Sequence, residues 1–186
     1  MISLTGKKVL LRAVEPSDVD LIYLWENDPD NWFVSNTRTP YSMEIIKRYI
    51  ESSKQDIYEQ KQLRLMIQIR DDNPRRMSPT IGTIDLFDFD PFNLRAGIGI
   101  LIARKEYRAK GYASDALEVL IHYCFNTLGL HLLYCNIASN NFVSINLFTK
   151  YGFVISGTKK EWLRSGKIWI DELLLQKIEP DYQPEI

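Results

Sequence analysis

The stretch from 98 to 125 constrains the fold most. A strand-like apolar run, Ile98-Gly99-Ile100-Leu101-Ile102, leads into Arg104-Lys105-Glu106-Tyr107-Arg108-Ala109-Lys110-Gly111-Tyr112-Ala113. A helix-like run from Ser114 to Phe125 follows. Strand, basic turn with a glycine, and helix in that order aim the first N–H groups of the helix at one spot. The helix dipole makes that spot favourable for an anion. Arg104, Lys105, Arg108 and Lys110 place four basic residues in seven positions, expected to add mobile positive charge. The stretch reads as a pyrophosphate cradle.

The rest of the chain supplies a sheet for this unit. Lys8 to Arg12 reads as the first strand. Ser17 is a plausible N-cap for a helix carrying Val19, Leu21, Ile22, Leu24 and Trp25, with Asp20 three residues on. Pro29 is expected to break that helix. Ser42 caps a second helix with Ile45, Ile46, Tyr49, Ile50 and Ile57 on one face. Strands are expected over 63–70, 80–87 and 94–102, with a long hairpin loop over 71–79 and a turn over 88–93. Gly129 ends the long helix. A strand over 131–138, a helix over 142–150 capped by Ser139-Asn140-Asn141, and a strand pair over 153–158 and 168–176 complete the order. Seven strands and interleaved helices predict an α+β fold, a mixed sheet with helices on its faces. At 186 residues one domain is expected over 1–186, with 179–186 as a frayed tail.

Composition excludes several classes. A net charge of −1 argues against a protein that coats nucleic acid. No apolar run approaches the ~18 residues of a membrane span. Met1 to Arg12 is strand-like and charged, so no signal peptide is expected. Cys124 and Cys135 read as buried hydrophobes. His122 and His131 form no cluster with metal-ligand spacing. A soluble, reduced, cytoplasmic protein is the expectation, with no metal, nucleic acid or membrane partner.

Arg108-Ala109-Lys110-Gly111-Tyr112-Ala113 resembles the R/Q-x-x-G-x-G/A signature of the GNAT superfamily of N-acetyltransferases. About 30 residues on, Asn141, Ser144 and Phe148-Thr149-Lys150-Tyr151-Gly152-Phe153 resemble that family's N-x-x-A/S-x-x-x-Y-x-K-x-G-F box. The element order is similar over roughly residues 8 to 176. Within the superfamily the chain looks most like the spermidine and ribosomal-protein N-terminal acetyltransferase branches. The resemblance implies a mostly antiparallel seven-stranded sheet whose fourth and fifth strands splay apart. It implies acetyl-CoA in that cleft, with the backbone of Ile100, Leu101 and Ile102 along the pantetheine. N–H groups of Arg108, Ala109, Lys110, Gly111, Tyr112 and Ala113 would hold the pyrophosphate. Asn141 and Phe148 would lie beside the pantetheine arm. By analogy a homodimer is expected.

The implied chemistry is direct attack of an amine on a thioester. An amine with a pKa of about 10.4 is only about 0.04% neutral at pH 7, a penalty of roughly 4.6 kcal/mol. Asp85 is the candidate base, directly or through water; the plainer alternative is a strand acid facing solvent or paired with an arginine. The family's frequent glutamate on the fourth strand falls at Gly97. Its proton-donating tyrosine falls at Phe148, and water or Tyr151 is left to substitute. Glu26, Asp28 and Asp30 beside aromatics are either a solvated loop or an attraction for a cationic acceptor. Thr37-Arg38-Thr39 stands before Pro40-Tyr41 where the spermidine branch carries acids. The expected acceptor is a small-molecule amine or a peptide N-terminus. A non-catalytic acyl-CoA-binding module on the same fold is the second reading.

Overall fold

The computed structural model describes residues 4–35, 37–53, 55–71 and 78–179. Seven strands, β1 (Val9–Ala13), β2 (Leu63–Ile69), β3 (Thr80–Asp90), β4 (Arg95–Ile102), β5 (Leu132–Ala138), β6 (Val154–Ser165) and β7 (Ile168–Ile178), form one sheet. Its order is β1-β2-β3-β4-β5-β7-β6. Neighbours are antiparallel except β4 and β5, which run parallel. The helices are α1 (Val19–Glu26), α2 (Pro29–Ser35), α3 (Met43–Ser52), α4 (Ile57–Gln60), α5 (Tyr112–Asn126) and α6 (Phe142–Lys150).

Both faces of the central strands are covered. On one face Ile84, Leu86, Ala96 and Ile98 join Ala116, Leu117, Leu120 and Cys124 of α5 in the main core. Leu117 and Leu120 are wholly buried, and burying each stabilises by about 1.5–3 kcal/mol. On the other face Met66 packs with Ile22 and Trp25 of α1 and Ile46 and Ile50 of α3. Strand residues alternate between these layers, so Arg64, Thr83, Asp85 and Phe87 share the α1–α3 side with Met66.

Several local expectations change. Ser17 is not the helix cap. Glu15 and Asp18 close a reciprocal box around a 3-10 turn over Pro16–Asp18, and α1 starts after it. Asp18 is drawn there because Arg12 donates to both its oxygens at 2.7 Å. Pro29 opens α2 rather than ending structure, since the first helical position needs no N–H partner. The Ser42 cap is present, its Oγ accepting from Ile45 N at 3.3 Å. Ile57 is not on that helix: α3 stops at Ser52, and Asp56 caps α4 separately. β3 runs on to Asp90, and the turn is tightened by Asp90 Oδ1 accepting from Phe92 N and Asn93 N. Most of the expected 71–79 loop and of the 179–186 tail lies outside the described residues.

The β6–β7 hairpin is much longer than expected. The charged run Lys159-Lys160-Glu161 hides it, because that run has no apolar alternation. A register shift between Lys159 and Leu163 accommodates it, with Glu161 at φ 48°. Asp171 Oδ1 accepts from Glu161 N at 2.9 Å and holds this bulge. Bulges re-aim side chains, and here Leu163 lines the cleft described next.

Candidate active site

β4 and β5 pair only at Arg95–Leu132, Ala96–Leu133 and Gly97–Tyr134. Leu94 O pins this closed end by accepting from His131 N and Leu132 N. Beyond Gly97, β4 stays with β3 and β5 stays with β7, so the two facing edges part. A cavity of about 580 Å³ fills the gap. Its walls include Ile98 to Leu101 on one side and Cys135 to Ala138 on the other. The lining draws on both layers, from Glu26 and Tyr49 to Asn141 before α6 and Ser144 and Phe148 within it.

Gly97 stands where the strands separate. A Cβ there would lie 2.2 Å from the Phe87 ring. The place in which a fourth-strand glutamate was sought is therefore filled by an aromatic ring, itself edge-on to Tyr134 at 5.8 Å.

The basic loop is built differently from its sequence appearance. Arg108 turns inward: its Nε donates to Ile102 O at 2.9 Å, and its Nη2 donates to Asn31 Oδ1 and Ala103 O. Lys105 pairs with Asp30 at 2.6 Å and Arg104 with Glu106 at 3.6 Å. Of the four expected mobile charges Arg108 is committed as scaffolding, while Arg104 and Lys105 pair only at the exposed surface. Ala109 and Gly111 take left-handed conformations, with φ 58° and 84°, immediately before α5. Successive backbone N–H groups in such a turn make a concave anion site.

Two residues that sequence reasoning missed complete this end. Asp115, in the first turn of α5 and only 8% exposed, accepts from Lys7 N, Lys8 N and Val9 N at 3.0, 2.7 and 2.9 Å. This clamp brings Lys8 over the loop, where its Nζ donates to Lys110 O at 2.8 Å. A Gly111 Cβ would sit 3.0 Å from that ammonium. Lys8 and Asp115 are 107 positions apart, so no local pattern joins them.

The other expected contacts sort plainly. Ile100 and Leu101 line the cavity, whereas the Ile102 side chain belongs to the core. Tyr112 and Ala113 begin α5 and pack on that core. Asn141 caps α6, its Oδ1 accepting from Ser144 N, and it also lines the cavity. Phe148 lines the cavity as a buried ring stacked edge-on against Phe153. Tyr151 does not line it; its hydroxyl is 2.8 Å from Ser114 Oγ and ties α6 to α5.

Asp85 does reach the cavity. Arg64 donates to both its oxygens, Nε at 2.8 Å and Nη2 at 2.9 Å. The third guanidinium nitrogen, Nη1, donates to Glu26 Oε1 at 2.8 Å. Arg64 also lies 5.1 Å over the Tyr49 ring. Burial alone would lower the pKa of Arg64, but the charge and hydrogen bonds of Asp85, helped by Tyr49 and Glu26, hold it above its ordinary value. Burial, with Asp85 and Glu26 nearby, pushes the Tyr49 phenol up to about 12. Asn27 anchors Tyr41 in the cavity wall: it accepts from Tyr41 N at 2.8 Å and donates to Tyr41 O and Tyr23 O. Of the acidic stretch noted in the sequence, Glu26 alone lines the cavity; Asp28 and Asp30 do not. Across the cavity Glu172 pairs with Lys159 at 2.8 Å.

The sheet parts between β4 and β5, a left-handed turn precedes α5, and Glu26, Asp85 and Glu172 line the gap. The Acetyltransferase (GNAT) domain family matches residues 8–154, and the chain belongs to that family. It is an N-acetyltransferase by that membership. The chain is similar to spermidine N(1)-acetyltransferase of Vibrio cholerae, 26% identical over 155 residues, 82% of either chain. It is also similar to the uncharacterized N-acetyltransferase p20 of Bacillus licheniformis, 26% identical over 183 residues, 98% of this chain and 99% of that one. A structure of the Vibrio cholerae enzyme in complex with CoA and spermine has the same fold, with TM-score 0.79 and 22% identity. It covers 91% of this chain, which covers 95% of it.

Proposed function

We propose that the chain transfers the acetyl group of acetyl-CoA to a primary amine, of a small molecule or a peptide N-terminus, working as one acyltransferase domain. The observation that carries this reading is the parting of β4 and β5 beyond Gly97, on the strand that leads into the left-handed turn at 109–111. The residues suit such a donor. Unpaired backbone along Ile98 to Leu101 can bond the amides of a pantetheine arm like an added strand. The turn before α5, with Lys8 beside it, suits a pyrophosphate.

Acetyl-CoA supplies the activated thioester. The balanced outcome is that an ammonium and the thioester give an amide, a free thiol and one proton. A new N–C bond replaces the C–S bond. An N–H on the β4 edge would stabilise charge developing on the carbonyl oxygen. For the proton, Asp85 and Glu26 divide the work through Arg64. Asp85, with both oxygens engaged, fixes the guanidinium. Glu26 gives Arg64 one oxygen and keeps Oε2 for the amine. Phe148 donates no proton, and releasing a thiol of pKa about 8.5 without a side-chain acid costs only roughly 2 kcal/mol at pH 7.

The test is release of free thiol from acetyl-CoA across amines and peptide N-termini, with mass spectrometry of the products. Thiol release that depends on the amine, with a product heavier by one acetyl group, supports the reading. Thiol release that no amine accelerates refutes it.

A further inference from the structure

Resting on the acetyl-transfer reading, we propose that the acceptor is a small monoamine, one positive charge on an apolar body, and that Glu26 is the residue that selects it. The Vibrio cholerae relative is named for spermidine, a polyamine that carries several charges along its length. This cleft is charged for one.

Among the described residues the cavity is lined by three carboxylates, Glu26, Asp85 and Glu172, and by one cation, Arg64. Arg64 takes both oxygens of Asp85, and Lys159 reaches in from β6 to Glu172 at 2.8 Å. Two cations against three carboxylates leave one net negative charge. Glu172 is neutralised by its own lysine, and Asp85 has no oxygen without a donor. That leaves Glu26, whose Oε1 is 2.8 Å from Arg64 and whose Oε2 has no hydrogen-bond partner among the described residues. Its side chain is only 18% exposed. A half-buried carboxylate with one open oxygen is a strong site for a single ammonium, because the bond is charge-assisted.

The surroundings say what the ammonium is attached to. The wall on this side is made of Ile22, Tyr41, Ile45, Ile46, Tyr49 and Phe87. Ile45 is half exposed although it is a large hydrophobe, which suits contact with an apolar body at the rim. A second ammonium on the same molecule would leave water beside these side chains with no counter-charge. Specificity thus arises partly by rejection: the polycation loses more solvation than the cleft returns. The reacting nitrogen itself is the cation, so Glu26 both binds the ammonium and stands where its proton must go.

The experiment measures kcat/KM by thiol release for hexylamine, 2-phenylethylamine, putrescine, spermidine and an apolar tripeptide amide. The expected result is at least tenfold preference for the monoamines over putrescine and spermidine. Glu26→Gln should lower the monoamine value at least a hundredfold while the KM for acetyl-CoA stays within threefold. Glu26→Asp should restore part of that loss and keep the preference for monoamines. Spermidine or putrescine equal to the monoamines overturns the proposal, as does Glu26→Gln within threefold of the parent. A tripeptide that outruns the monoamines overturns the small-molecule acceptor. If no amine releases thiol, the acetyl-transfer reading fails and this inference with it, a result distinct from transfer to the wrong amine.

Discussion

Asp115→Ala should loosen the join between β1 and α5, and the structure sets the size of the effect. The carboxylate accepts three backbone N–H groups, from Lys7, Lys8 and Val9. Only the Val9 bond is fully buried, and leaving a buried donor unsatisfied costs about 1–3 kcal/mol. Lys7 and Lys8 are exposed, so water replaces their acceptor at roughly half a kcal/mol each. The expected loss is therefore about 2–4 kcal/mol in urea unfolding, with an unchanged slope. Gly6 supplies an internal control. A Cβ on Gly6 would lie 2.2 Å from Asp115 Oδ2, so Gly6→Ala in the parent must expel the carboxylate and cost nearly as much. In the Asp115→Ala background the obstacle is gone. The double-mutant cycle should show a coupling of at least 1 kcal/mol. Additive effects, or an Asp115→Ala loss under 1 kcal/mol, would refute the clamp.

Three further outcomes follow from the same geometry. Gly111→Ala places a side chain at φ 84° and against Lys8, so about 1 kcal/mol of stability should be lost and the KM for acetyl-CoA should rise at least tenfold in steady-state kinetics. Lys8→Met should raise that KM about three- to tenfold, with the difference shrinking as salt is added, while the thermal midpoint moves by less than about 3 °C. A KM insensitive to both substitution and salt counts against Lys8 at the phosphate end. The third concerns acid unfolding. Burial raises the pKa of Asp18, but the hydrogen bonds from Arg12 and Glu15 N outweigh it and hold the group below the ordinary carboxylate value of 3.8. A folded pKa below the unfolded one contributes stability that is complete above the unfolded value and is lost as pH falls through the lower, folded value. Arg12→Met should flatten that part of the acid limb in urea titrations below pH 4, and an unchanged limb would contradict the pairing.

How much the sequence disclosed depended on the range of the interaction. The turn before α5 and the box from Asn141 to Phe153 were legible because each is local, whereas the inward course of Arg108 to Asn31, 77 positions away, was not. Ser42 and Asn141 were legible as caps for the same reason. Pro29 misled because a proline that stops one helix also starts another. The β6–β7 hairpin hid behind Lys159-Lys160-Glu161, whose bulge is held by Asp171 from the partner strand. The charge cluster was the least legible. Glu26, Arg64 and Asp85 come from α1, β2 and β3, and the sequence left a base and an arginine-paired acid both open at Asp85 because no local pattern points to Arg64. Gly97 likewise read as a missing acid, when the ring of Phe87 occupies that space.

The central claim is that the parted edges of β4 and β5 receive acetyl-CoA with its phosphates at the turn before α5. Hydrogen–deuterium exchange of the whole chain with and without acetyl-CoA tests it directly. The account predicts that protection rises on backbone amides at 98–101 and 108–113. Acetyl-CoA that binds while leaving those amides unchanged, or that protects a different surface, would contradict it.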